Sequence, residues 1–503
     1  MRGLKSTALG LLFAVAASGC LKVGPDYQEP TALLAPQWIE FEDPNLNSTQ
    51  EVMPYWWKRA FGDPVLDRLI DEALDQNLTL RSAGLRILQA RQQLAIAIGN
   101  QYPQQQAATG QAEAVDEGGS GSAYSVYDFN FNLAWEVDVW GAFQRQIESA
   151  SALLDASVAD YDGIIVSLIA QVADTYVLIR TTEKRLAVAR SNLGYQEESV
   201  RITEAKLDAG EVSPLDVHQA ETLLYDTKAS MIALEQSLSQ STNSLALLLG
   251  LPPRDIGARL SRNKPIPEVP ASIDVGMPQD IIRRRPDIRL AERQLAAQSA
   301  QIGFALTELY PSLQLQGVIG PSVSTASGLG FNDLFRGENV GSSFAGIIDW
   351  NVFNYGRLKN NVRLQDATFQ QLLVDYRQTV LEAQTEVENA IVAFFKSRQE
   401  MESLRTAAEA AKSASDISTD QYREGEIPFN TVITILSTLL SQQEQLAVAQ
   451  GSVASNLIAV YKSLGGGWEV RKSDNPVDLI PAETQEEMSG RGKYWRKIFK
   501  ERD

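Results

Sequence analysis

Residues 127–139 read YDFNFNLAWEVDV. The odd positions are Tyr127, Phe129, Phe131, Leu133, Trp135, Val137 and Val139. The even positions are Asp128, Asn130, Asn132, Ala134, Glu136 and Asp138. Side chains of a strand alternate between its faces, so this stretch is a strand with one apolar and one carboxylate-rich face. It exceeds the roughly 9 to 11 residues that cross the hydrocarbon layer in a transmembrane barrel. A soluble sandwich edge carries the same alternation, so the remainder of the chain decides between them.

Working outward, the chain is written twice. Tyr102-Pro103 returns as Tyr310-Pro311, an offset of 310 − 102 = 208. Trp135 and Gly141 return as Trp350 and Gly356, an offset of 350 − 135 = 215, and 215 also carries Gly210 onto Gly425 and Leu249-Gly250 onto Leu464-Gly465. One copy spans residues 62–251 and the other 274–466, with a linker at 252–273 inside the proline-rich stretch Pro252 to Pro278. The second copy repeats the strand pattern with Leu313, Leu315 and Ile319, then Phe344, Ile348, Trp350 and Val352.

Each copy predicts the same order. A helix (Asp67 to Gln101; Pro278 to Leu309) ends at Tyr-Pro, where proline bars continuation. Two strands follow, and then a very long helix over 142–209 or 357–424. The latter contains neither proline nor glycine. At about 1.5 Å per residue such a helix is roughly 100 Å long. A glycine then reverses the chain into a helix of about half that length, Pro214 to Leu249 or Phe429 to Leu464. Leu373, Tyr376, Val380, Ala383, Val387, Ala390 and Phe394 keep a seven-residue period, matched by Val158, Tyr161, Ile165, Leu168, Val172, Thr175 and Ile179. That period predicts coiled-coil packing.

Two strands per copy make four per chain. In lipid every backbone amide needs a protein partner, and the smallest barrels have about eight strands, so several chains must pool their sheets. Two chains would give a barrel filled by side chains, whereas three give twelve strands and room for a lumen. The expected fold is therefore an α+β membrane protein: a trimeric 12-stranded β-barrel continuous with a long α-helical barrel. Asp128, Asn130, Asn132, Glu136 and Asp138 are expected to face the lumen.

The amino terminus has Arg2 and Lys5 ahead of the apolar run Ala8 to Ala17, then Ser18-Gly19-Cys20. This reads as an export signal at residues 1–19, too short to span a bilayer. A segment at 20–61 follows it, and a polar tail at 467–503 ends the chain. The basic, aromatic stretch Lys493 to Arg502 is expected to be a loose solvated end. The formal charge is −18, against nucleic acid as a partner. One cysteine and one histidine preclude a disulfide within the chain, a zinc site of those ligands, or more than one Cys–His dyad. With no Gly-x-Ser-x-Gly elbow, His-Glu-x-x-His signature or nucleotide-binding loop, neither catalysis nor a cofactor is expected.

Cys20-Leu-Lys-Val-Gly-Pro-Asp-Tyr27, Trp56-Trp57 to Phe61-Gly62-Asp63-Pro64 and the duplicated body together resemble the TolC-like outer-membrane efflux proteins, in their lipidated OprM-like or NodT-like branch. The placement of Cys20 is similar to a bacterial lipobox, which implies a diacylated Cys20. The resemblance implies a homotrimer in the outer membrane with a periplasmic helical extension, docked to a periplasmic adaptor protein and an inner-membrane pump of the resistance–nodulation–division class. It places Gly210, Asp216 and Val217 at one periplasmic tip and gate, with Gly425 at the other. Asn430 stands where the family commonly has Leu, Thr434 where it has a gate Asp, and Ser437 where it often has Arg. The implied function is passive export of small molecules. A protein-secretion duct, a secreted adhesive coiled-coil protein and a lipid-anchored hydrolase are the alternatives.

Overall fold

The computed structural model describes residues 22–39, 44–47, 54–116, 118, 123–253, 256–261, 264–278, 280, 284–471, 473 and 475–500. Cys20 and the export signal lie outside them. In chain order the elements are β1 (Leu46–Asn47), α1 (Trp56–Phe61), α2 (Pro64–Gln76), α3 (Leu78–Gly99), β2 (Gln105–Val115), β3 (Tyr124–Val137), α4 (Ala142–Asp208), α5 (Pro214–Leu248), α6 (Gly257–Leu260), β4 (Ile273–Asp274), α7 (Pro286–Thr307), β5 (Ser312–Ser324), β6 (Val340–Asp349), α8 (Arg357–Glu424), α9 (Phe429–Ser463), α10 (Ala482–Arg491) and α11 (Lys493–Lys500).

Two compact units cut across the two repeats. The first contains 86–158 and 290–377 with the chain up to Thr31; the second contains 32–85, 159–289 and 378–503. Each repeat contributes its strands to the first unit and most of its long helix to the second.

In the first unit, β2, β3, β5 and β6 form one antiparallel sheet in that order. The expected four strands are present. The register puts Gln106, Leu133, Gly317 and Phe344 in one row, and Ala108, Phe131, Ile319 and Ser342 in the next. Paired residues share a face, so apolar side chains gather on one side of the sheet. The indoles of Trp135 and Trp350 close the strand ends alike, donating to the carbonyls of Gln101 at 3.3 Å and Leu309 at 3.0 Å. These donors differ by 215 and the acceptors by 208, the offsets of the repeat.

In the second unit the heptad residues Tyr161, Ile165, Leu168, Val172 and Ile179 are buried, as are Val380, Ala383, Val387, Ala390 and Phe394; Tyr376, the heptad position before them, is buried in the first unit. The first long helix buries a second row one position along, Ala159, Val166, Ala173 and Arg180. This helix also contains a stretch long and apolar enough to pass as a membrane span by composition, 61% of it buried inside the fold. The Trp-Trp motif belongs to the same core. Trp57 is fully buried and Trp56 stacks on Tyr461 at 4.8 Å.

The helix expected at Asp67 to Gln101 is instead two, α2 and α3. Asn77 interrupts them in an extended conformation (φ −61°, ψ 124°), held because its side chain accepts from Leu80 N at 2.9 Å and donates to Leu248 O at 2.8 Å. In the second copy, α7 begins at Pro286, and the residue before a proline is biased away from helix. The stretch from Lys493, expected to be a loose solvated end, is helical as α11, with Tyr494 exposed and Trp495 stacked on Phe499 at 5.7 Å; ahead of it Val477, Ile480 and Met488 are buried.

Candidate functional site

The second sheet face carries the residues expected to line a lumen. Asn132 pairs with Ala107 and Val318, Ala134 with Gln105 and Gln316, and Glu136 with Gln314. Asp128 lies between Gln111 and Ser322. The face is a lane of amides, hydroxyls and carboxylates interrupted by Ala107, Ala134 and Val318. Within it Asn132 donates to Thr109 Oγ1 at 2.8 Å and Asn130 to Asp128 at 3.0 Å. Opposite it Phe129, Phe131, Ile319 and Phe344 are exposed on the single chain. Asp138 lies beyond the strand, because β3 ends at Val137; its carboxylate accepts from Gln144 N at 3.0 Å in the first turn of α4.

The helix turns of the second unit form a separate candidate site. Gly210 has φ +74° and Gly425 φ +81°, values that favour glycine. Gly210 N donates to Leu207 O and Glu211 N to Lys206 O; Gly425 N donates to Tyr422 O and Glu426 N to Gln421 O. The two turns are the same C-terminal cap, satisfying carbonyls at each helix end. Asp216 closes the following helix start: Ser213 N donates to its carboxylate at 3.0 Å and the Ser213 hydroxyl at 3.1 Å. Val217 is buried, and a tip core gathers Ala220, Tyr422, Phe429, Val432 and Leu436. Asn430 and Thr434 are exposed, and the Thr434 hydroxyl donates to the Asn430 carbonyl at 2.8 Å. Arg423 bridges to Glu198 at 3.3 Å, joining α8 to α4 near this tip.

Buried charged groups escaped the sequence reading, Arg180, Asp162 and Arg145 being the most deeply buried among the described residues. Arg180 is fully buried; it pairs with Glu183 at 2.7 Å, lies 4.8 Å from the Tyr176 ring and donates to the Leu260 carbonyl. Asp162 is fully buried between Arg289 at 3.1 Å and Arg471 at 2.7 Å. Burial pushes its carboxyl up to about 6, with Arg471 and Arg289 pulling the other way. Arg145 is the third, in the first turn of α4, with 2% of its side chain exposed. The available signal was a charge on a buried stripe: Arg180 stands seven residues after Ala173. His218 is exposed and 2.9 Å from Glu221.

A two-faced sheet joined in sequence to paired long helices is the build of an outer-membrane channel subunit. The profile of the outer membrane efflux protein family matches residues 69–251 and 277–466. Nodulation protein T of Rhizobium leguminosarum bv. trifolii is 31% identical, over 92% of this chain and 97% of its own. The probable outer membrane lipoprotein SilC of Salmonella typhimurium is 28% identical, over 92% and 99%. Among solved structures, the outer-membrane channel OprN aligns with a TM-score of 0.83 at 32% identity, covering 89% of this chain and 99% of that one. The chain belongs to the outer membrane efflux protein family, in its NodT-like and OprM-like branch, and is an outer-membrane channel component of an efflux system.

Proposed function

We propose that three copies close their four-stranded sheets into one 12-stranded barrel, continued by an α-helical barrel in the periplasm, and that the trimer exports small molecules passively. The observation that carries this reading is the sheet itself. It has two outer strands, β2 and β6, and an exposed apolar face backed by a polar one. In lipid such edges must pair, and pairing β6 of one copy with β2 of the next removes both. Asp128, Asn130, Asn132 and Glu136 then line the water-filled side, with Asp138 at its lower rim.

A passive duct needs an energised partner, so the trimer docks to a periplasmic adaptor protein and an inner-membrane pump, of the resistance–nodulation–division class. The tips at Gly210 and Gly425 meet the adaptor, and Asn430 and Thr434 stand at the gate. Cys20 carries the lipid anchor after removal of residues 1–19; the relative SilC bears the name of a lipoprotein. The domain plan of two repeats at 62–251 and 274–466 around a linker supports this arrangement.

The test is cysteine pairs placed on β2 and β6 in a chain whose Cys20 is already acylated. Oxidation in membranes gives a ladder that ends at three chains, and purified trimers conduct ions across a planar bilayer. A ladder ending at two, or monomers stable without detergent, would contradict it.

A further inference from the structure

The segment Val23-Gly-Pro-Asp-Tyr27 marks the family resemblance, yet channel formation leaves it without a task. Val23 N donates to the Trp140 carbonyl at 3.1 Å. Buried Arg145 donates to the Val23 carbonyl through Nε at 3.0 Å, to the Gly24 carbonyl through Nη2 at 2.8 Å, and through Nη1 to Asp26 at 3.2 Å and Glu148 at 2.9 Å. Lys22 pairs with Glu148 at 2.7 Å and Asp26 at 2.9 Å. Tyr27 donates to Glu292 at 2.5 Å. Gly24 lies against Gly303, where a methyl group would collide with the Arg145 side chain.

Without residues 23–26 the Arg145 guanidinium would keep one of these partners, Glu148, and a buried charge short of partners is strongly unfavourable. The socket therefore exists for the segment that fills it. The repeat agrees. The offset of 208 puts Ala95 opposite Gly303 and Gly84 opposite Glu292, and the offset of 215 puts Asn360 opposite Arg145. The socket draws Arg145 and Glu148 from one copy and Glu292 and Gly303 from the other, and the equivalent positions across the repeat, which receive no segment, lack those residue types.

We propose that Arg145, Glu148, Glu292 and Gly303 form a receptor for residues 22–27, and that this clasp fixes the N-terminal lipid anchor at the strand-to-helix junction. The proposal rests on reading Cys20 as acylated. Residue 20 lies two positions before Lys22, within about 7 Å of it along the chain. Val23 is bonded to Trp140, whose indole donates to the Pro311 carbonyl at 2.8 Å and whose ring stacks on Tyr310 at 4.7 Å. Such Trp and Tyr side chains favour the membrane–water boundary. An acyl group on a free leash of this length would tether the channel; a clasped one also holds it at a set depth.

The test uses the full-length chain, labelled in cells with a palmitate analogue, purified in detergent and treated with a lysine-specific endoprotease. Cleavage after Lys22 separates the labelled peptide from the body. Wild type loses label slowly. Arg145→Ala and Gly303→Leu lose it at least about ten-fold faster, Arg145→Lys falls between, and cleavage at other lysines is unchanged. A photoreactive residue at Leu21 cross-links to the 140–142 segment in wild type and not in Arg145→Ala. Equal cleavage after Lys22 in all four proteins overturns the clasp, and so does general acceleration at every lysine in all three variants. Absence of label from every protein overturns the acylation reading alone, because amino-terminal sequencing of the same digests still reads cleavage after Lys22.

Discussion

Asn77 and Arg285 occupy one position of the two repeats, 285 − 77 = 208, and hold the same acceptor with different side chains. Asn77 Nδ2 donates to the Leu248 carbonyl at 2.8 Å, and Arg285 Nη1 to the Ser463 carbonyl at 2.6 Å; those acceptors are separated by 463 − 248 = 215. Each contact ties the residue just before a helix, α3 or α7, to a carbonyl at the end of the returning helix. Asn77→Ala leaves Leu248 O and Leu80 N without these partners and lowers stability by about 1–3 kcal/mol. Arg285→Ala lowers it further, because Asp287 at 2.7 Å and Glu386 at 2.8 Å also lose their cation. Melting temperatures of the detergent-solubilised proteins give the ranking, and a milder effect for Arg285→Ala would refute it.

Asp162 supplies a pH dependence. A carboxyl raised to about 6 in the fold, against 3.8 unperturbed, binds its proton more tightly folded than unfolded. Its contribution to stability is present below about pH 4 and is lost as pH rises through about 6, a change of about 3 kcal/mol. The wild-type melting temperature measured relative to Asp162→Asn therefore falls between pH 4 and 7. A relative melting temperature that rises over this window would show that Arg289 and Arg471 outweigh burial.

The two sheet faces respond differently to charge. Phe344→Arg puts a cation on the exposed apolar face near the middle of β6 and costs about 2–4 kcal/mol in a bilayer, so the yield of heat-resistant trimers in SDS drops. Asn132→Asp on the opposite face leaves that yield unchanged and increases cation preference in single-channel records. Equal sensitivity of both faces would mean that neither meets lipid.

Thr434 is exposed and uses its hydroxyl on the Asn430 carbonyl. Thr434→Asp adds a carboxylate at the proposed gate and makes the channel more cation-selective, by the attraction of carboxylates for cations. Reversal potentials under a salt gradient read the shift; an unchanged potential removes Thr434 from the conduction path.

The alternation from Tyr127 to Val137 and the seven-residue period from Tyr376 to Phe394 were legible because each is a local rhythm along one chain segment. Gly210 and Gly425 were legible as turns because backbone sterics act within a few residues. The end of β3 was less so: Asp138 continues the polar pattern, yet its carboxylate is taken by Gln144 N, and alternation carries no mark of where pairing stops. At Asp216 the carboxylate accepts from Ser213 N, the capping contact that its position at a helix start allows.

Repetition, strand faces and helix lengths are properties of order along the chain, and sequence alone determines them through periodicity and chain breakers. Tertiary structure alone decided which partners the buried polar and charged groups found. Arg145 serves Val23 and Gly24, Asp162 serves Arg289 and Arg471, and Asn77 serves Leu248, partners more than a hundred residues away. A buried polar group must be satisfied by whatever the fold brings within about 3 Å, and no local rule of the sequence specifies that neighbour.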